Sequence, residues 1–188
     1  MVQHETVVQH ETTGRSVVRV VGFDPGLEVT GYGVVEWCSG VIRLVEAGTV
    51  RSRGTAIEER LASIHDGVRE VIEELRPGAL AVEQLFVHGK YPRTAILMGH
   101  ARGVICLAAA QCGLGVQHYP PARVKRLLTG SGRADKGQMQ RAVQRELGLA
   151  TLPQPADAAD ALAVAITDWH LRLRLLQPRG AGRGGGQR

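Results

Sequence analysis

Apolar and polar positions alternate along this chain in two distinct periods. Residues 17–24 are β-branched and almost continuously apolar, the pattern of a central strand buried on both faces. Residues 31–37 and 41–50 follow across the short turn Cys38-Ser39-Gly40, which predicts an antiparallel meander. Over residues 55–75 the period changes. Ile57, Leu61, Ile64, Val68, Val71, Ile72 and Leu75 recur at helical spacing, and Arg76-Pro77-Gly78 closes the helix. Residues 79–83 read as a short buried strand and 116–119 as another. Between them, 92–112 read as a helix with Pro92 at its start and Gly113 just past its end. Two short helices, 121–128 and 137–147, flank a Gly-rich loop at 129–133, and a last helix runs from 157 to about 173. The order βββαβαβ followed by helices predicts an α/β fold. Its mixed five-stranded sheet has three antiparallel strands, then parallel ones, flanked by helices.

The ends of the chain fall outside this pattern. Residues 1–16 carry VQHET twice, too short for a solenoid, and read as a disordered N-terminal extension. Residues 174–188 read as a flexible Gly/Arg-rich tail. The folded unit expected is therefore one domain over 17–173, ordinary in size for a single core. The three cysteines lack Cys-x-x-Cys spacing, which argues against a disulfide framework or a zinc site. No apolar run approaches membrane-helix length, and the polar N-terminus lacks a signal-peptide core. A cytoplasmic protein with reduced thiols is the expectation.

Net charge is +5, but its distribution matters more. Residues 17–84 are net −4, and residues 146–170 are also net −4. Between them, residues 85–145 hold ten basic side chains and one acid, Asp135, for a net +9. Such a block suits a polyanionic partner, although a basic block can equally be a solvated face.

The acids point to the chemistry. Asp24 ends the first strand directly before Pro25-Gly26, at the kind of strand edge where open α/β sheets place ligands. Glu83 ends the strand expected beside it. Asp157 and Asp160 are three apart at a helix start, so they share a face, and they are surrounded by Ala156, Ala158, Ala159, Ala161 and Leu162. Half-buried carboxylates repel one another and call for a counter-charge, which divalent cations supply. Taken singly, Asp157 could be a helix cap, Asp24 a turn residue, and Glu83 the partner of an arginine. Together they suggest a site for two-metal phosphodiester chemistry.

Five stretches carry a family resemblance: FDPGLEVTGYGVV at 23–35, AVEQLF at 81–86, HARGV at 100–104, VKRLLTGSGRADKGQMQ at 124–140 and ADAADALAVAI at 156–166. In order and spacing they resemble the RuvC Holliday-junction resolvases over residues 17–171. The resemblance implies a ribonuclease-H-like fold, a homodimer, and Mg2+-dependent paired symmetric nicks at a four-way DNA junction in recombination and repair. Two Mg2+ per subunit are expected, with Mn2+ as a substitute, and RuvA and RuvB as the junction-migrating helicase partners. It places an acidic tetrad on Asp24, Glu83, Asp157 and Asp160, an aromatic beside the junction at Phe86, and basic residues at Lys125 and Lys136.

On this reading Asp24 is central to the tetrad and Glu83 holds one ion, with Asp157 and Asp160 completing the shells. Lys136, one of only three lysines beside 20 arginines, would stabilise charge on the phosphate. Arg123, Arg126 and Arg133 would add contacts to the DNA backbone. The apolar and small residues of the 92–112 helix suggest a helix-to-helix dimer seam. Two other classes remain open at this point. Asp24-Pro-Gly-x4-Gly31 also fits the DxGxxxxG phosphate loop of actin-like ATPases and sugar kinases, which need a second such domain. A non-catalytic junction-binding module would lack one of the acids.

Overall fold

In the computed structural model the described residues are 3–6, 18–38, 40–85 and 92–176. Their elements follow the chain as β1 (Gln3–Thr6), β2 (Val18–Asp24), β3 (Val29–Cys38), β4 (Val41–Arg51), α1 (Ile57–Leu75), β5 (Ala79–Glu83), α2 (Pro92–Gln111), β6 (Val116–Tyr119), α3 (Pro121–Thr129), α4 (Lys136–Leu147) and α5 (Ala156–Leu176). The sheet order is β1-β4-β3-β2-β5-β6. The β2-β3-β4 meander is antiparallel, and β5 and β6 continue it in parallel with β2. The five strands expected from the sequence thus form in the expected arrangement.

The extension behaves differently from the expectation of disorder at one point. Gln3–Thr6 pairs antiparallel with β4, Gln3 opposite Thr49 and Thr6 opposite Glu46. β4 would otherwise present an edge of unpaired N–H and C=O groups, and four polar residues suffice to occupy it. The rest of 1–16 and the tail from 177 lie outside the described residues.

β2 lies between β3 and β5, and its residues Val20, Val21 and Phe23 are fully buried. One face of the sheet packs on α5, with α3 and α4 outside it, around Val20, Val35, Ala81, Leu162 and Ile166. The other packs on α1 and α2, around Val21, Tyr32, Ile64, Val68, Leu80 and Ile105. The continuous apolar run of β2 is explained by these two layers: alternate residues serve opposite cores.

Close approach of α5 to the sheet depends on a patch of glycines. Gly22 and Gly33 are directly opposed across β2 and β3, and Gly31 opposes Asp24. A Cβ at Gly22 would lie 2.2 Å from the Ala161 carbonyl oxygen, and at Gly31 2.1 Å from that of Asp157. At Gly33 it would lie 2.6 Å from Leu162 Cδ2. The helix backbone therefore rests directly on the strand backbones. Gly31 thus serves helix packing in this fold.

Candidate active site

The parallel pairing of β2 with β5 runs to Phe23 opposite Val82, so Asp24 and Glu83 emerge together, one residue further, at the same sheet edge. α5 begins over that edge. Ala156 opens the helix, so Asp157 stands in its first turn rather than capping it, and the Ala158 and Ala159 N–H groups donate to the Pro155 carbonyl. Asp160 follows one turn in. The positive end of the helix dipole favours carboxylates at this position. Three elements thus bring together the four acids that the sequence singled out.

Their electrostatics confirm the crowding. Burial, then the charges of Asp160, Glu83 and Asp157, push Asp24 up to about 7, with Lys136 pulling the other way. Burial and Asp160 likewise push Glu83 up to about 7, opposed by Lys125. Asp160 is raised by burial, with Lys136 the main opposing influence. The Lys136 ammonium lies 3.4 Å from Asp160 Oδ2. Its position is set by a capping box: Asp135 Oδ1 accepts from the Gln138 N–H at 2.7 Å, and Gln138 Oε1 accepts from the Asp135 N–H at 2.9 Å. Asp135, the single acid in the basic block, is therefore the cap that starts α4 and places Lys136 as its first residue.

Beside the acids is a cleft of about 310 Å³, lined by Glu83, Asp160, Lys125 and Lys136 with Val124, Met139 and Val164. The cleft thus combines two acidic and two basic side chains with apolar ones. Arg123 and Arg126 do not join it. They line a separate cleft on the other side of α3 with Leu127 and Leu171, and the Arg123 guanidinium lies 5.8 Å from the centre of the Tyr119 ring. Arg133 is exposed on the α3–α4 loop, its N–H bonded to Ser131 Oγ at 3.3 Å. Phe86 lies outside the described residues.

Hard carboxylate oxygens, crowded and partly desolvated, are the donor set that hard divalent cations require, so the residues fit the expected metal. Among the described residues, no group of three or more Asp, Glu, His or Cys side chains is placed to hold a metal ion. The fit lies in the donor chemistry and the excess of buried negative charge. A stability measurement tests this. Between about pH 4 and 7 the folded chain holds protons on Asp24 and Glu83 that the unfolded chain has released, so stability falls as pH rises through that interval. In EDTA, the melting temperature is expected to drop from about pH 5 to about pH 8. Mg2+ should shrink or reverse the drop, since it binds the ionised acids. A melting temperature in EDTA that climbs over this range would contradict the assigned crowding.

Sequence reasoning missed two residues close to this site. Tyr119 Oη donates to Asp168 Oδ1 at 2.7 Å, and Asp168 is completely buried. The signal was present as a lone acid in the apolar run of the last helix, but nothing in the spacing named its partner.

Comparison with known proteins gives the family and the fold. The family model for crossover junction endodeoxyribonuclease RuvC matches residues 20–168. The RuvC of Rhodopirellula baltica is 50% identical over 153 residues, covering 81% of this chain and 86% of that protein. The RuvC of Chloroflexus aurantiacus is 49% identical over 150 residues, covering 79% and 91%. Thermus thermophilus RuvC, solved in complex with Holliday junction substrate, superposes with a TM-score of 0.76 at 36% identity, covering 84% of this chain and 96% of that one. The yeast mitochondrial Holliday junction resolvase, at 9% identity and a TM-score of 0.59, shares the fold. On these grounds the chain belongs to the RuvC family of crossover junction endodeoxyribonucleases.

Proposed function

We propose that this protein resolves four-way DNA junctions by paired symmetric nicks, through metal-dependent hydrolysis of phosphodiesters at the Asp24, Glu83, Asp157 and Asp160 site. The observation that carries the reading is the convergence of four carboxylates from β2, β5 and α5 beside two lysines. Asp24, flanked by the other three, would help to hold the two Mg2+ ions, or their Mn2+ substitutes, expected at this site. Glu83 would hold one of them, and Asp157 and Asp160 would complete the sites. When bound, the metals supply an activated water and stabilise the departing 3′ oxygen.

The chain's own side chains do the rest. Lys136 favours the ionised form of Asp160 against the effect of burial and offers its remaining hydrogens to a phosphate oxygen, being more than half exposed. Lys125, which lines the same cleft, screens Glu83 and gives a second phosphate contact. Phe86, three residues past Glu83, is assigned to stacking on an unpaired base at the crossover. Arg133, with Arg123 and Arg126 on the far side of α3, is assigned to the duplex arms away from the scissile bond.

Two active sites are needed for symmetric nicks, and α2 offers the seam for a homodimer. Ala101, Ile105, Ala108 and Ala109 are buried against the sheet and α1. On the outer face Ile96 is 60% and Leu107 53% exposed, with exposed Gly103 between them. An apolar stripe with a small residue at its centre suits close packing of the same patch from a second copy. Among the described residues no helix is long and apolar enough to cross a membrane. The cytoplasm, where chromosomal junctions and the RuvA and RuvB partners implied by the family would be met, is the proposed location.

The test is cleavage of a synthetic four-way junction against a linear duplex of the same sequence, each in Mg2+ and in EDTA. Cutting of the junction alone, and with metal alone, is expected. Equal cutting of both substrates, or cutting in EDTA, would contradict the reading. In the same assay log affinity should fall with log salt by about 0.9 for each phosphate neutralised.

A further inference from the structure

Among the described residues, two carboxylates outside the cleft are buried, Glu46 and Asp168. Asp168 stands on α5 eight residues beyond Asp160 and has no exposed surface. A carboxylate in such a place is costly, and replacing a buried polar pair by apolar residues is often neutral or stabilising, so stability alone does not account for it. Its oxygens are both engaged: Oδ1 accepts from Tyr119 Oη at 2.7 Å, and Oδ2 accepts from Arg172 Nε one turn further along the helix.

Tyr119 occupies a junction in the fold. It ends β6 directly opposite Glu83, and its carbonyl accepts from the Gln84 N–H at 2.9 Å. The next two residues, Pro120 and Pro121, are the cap and first residue of α3, and their fixed φ leaves the connection little play. Lys125 follows one turn later, on the wall of the cleft that it shares with Glu83 and Asp160. A single buried side chain therefore ties α5 to the end of β5 and to the start of α3.

We propose that Tyr119 and Asp168 form a positioning pair that holds Lys125 at its working place against Glu83 and Asp160. The pair touches no substrate; it acts through Lys125. This rests on the reading of Lys125 as a phosphate-facing residue of the junction-cleaving site.

The experiment is a double-mutant cycle on junction cleavage with Tyr119→Phe, Lys125→Ala and the double variant, each confirmed folded by circular dichroism at the assay temperature. Tyr119→Phe keeps the ring in the core and removes only the hydroxyl. It is expected to lower kcat/KM roughly tenfold, and the double variant to be no slower than Lys125→Ala, because one variant has already removed what the other acts through. Asp168→Asn, which retains an acceptor for Tyr119, should recover most of the activity that Asp168→Ala loses. Effects that multiply in the double variant, or a Tyr119→Phe enzyme as fast as the wild type, would overturn the pair's role while leaving Lys125 in place. A Lys125→Ala enzyme of full activity would overturn the assignment of Lys125, and the positioning role with it. A wild-type protein that cuts no junction would instead sink the functional reading itself.

Discussion

Asp24→Asn is expected to abolish junction cleavage, leave junction affinity unchanged, and stabilise the metal-free protein. The three outcomes have one cause. Burial, and then the charges of Asp160, Glu83 and Asp157 beside it, push Asp24 up to about 7. Asparagine keeps the shape of the side chain and removes its charge. Without metal, a buried like-charge contact disappears, and the gain at about pH 8 should be on the order of 1–3 kcal/mol. With metal, the ligand at the centre of the set is weakened, and the cleavage rate should fall by roughly a thousandfold or more. Lys125 and Lys136 of the cleft are untouched, so the DNA is still held. Thermal melts in EDTA, single-turnover cleavage in Mg2+ and a gel-shift titration check the three parts. A variant that is less stable in EDTA would show that Asp24 is a structural partner rather than a crowded ligand, and retained cleavage would remove it from the site.

Gly31→Ala is expected to be the most damaging single methyl group in the sheet. Its Cβ would stand 2.1 Å from the Asp157 carbonyl oxygen and 2.4 Å from the carbonyl carbon, both backbone atoms. Neither β3, paired on both sides, nor α5, packed along the sheet, can yield locally. The helix start must lift, with an overpacking cost of about 1–3 kcal/mol. Lifting it by about 1 Å also carries Asp157 and Asp160 away from Asp24 and should lower the cleavage rate roughly a hundredfold. Gly78→Ala is the control, because a Cβ there meets only the Arg19 carbonyl oxygen at 3.8 Å. Melting temperature and cleavage rate measured on both variants decide the matter. If Gly31→Ala matches the control in rate, the glycine patch does not set the site.

These two variants mark different degrees of legibility. Asp24, Glu83, Asp157 and Asp160 could be read from the chain because each stands at the boundary of a strongly patterned element. The apolar run of β2 ends on Asp24, that of β5 ends on Glu83, and the Ala-rich opening of α5 surrounds the other two. Gly31 could not be read in the same way. In the chain it resembles part of a phosphate loop, and only the contact with the α5 backbone shows that its missing Cβ is what the fold requires. The arginines of α3 make the same point. Arg123, Lys125 and Arg126 are a single basic cluster in the sequence, but the helix turns Lys125 toward Glu83 and Asp160 and places the other two in a separate cleft.

The sequence by itself determined the elements after β1, their order, the sheet's parallel and antiparallel halves, and which acids stand at its edge. It could do so because side-chain period and end signals are local properties. Only the tertiary structure decided which faces meet. The seating of α5 on Gly22, Gly31 and Gly33, the strand Gln3–Thr6 on the edge of β4, and the bond from Tyr119 to Asp168 across 49 residues are contacts between elements. Such contacts depend on how two surfaces fit in space, a property that neither surface's own periodicity contains.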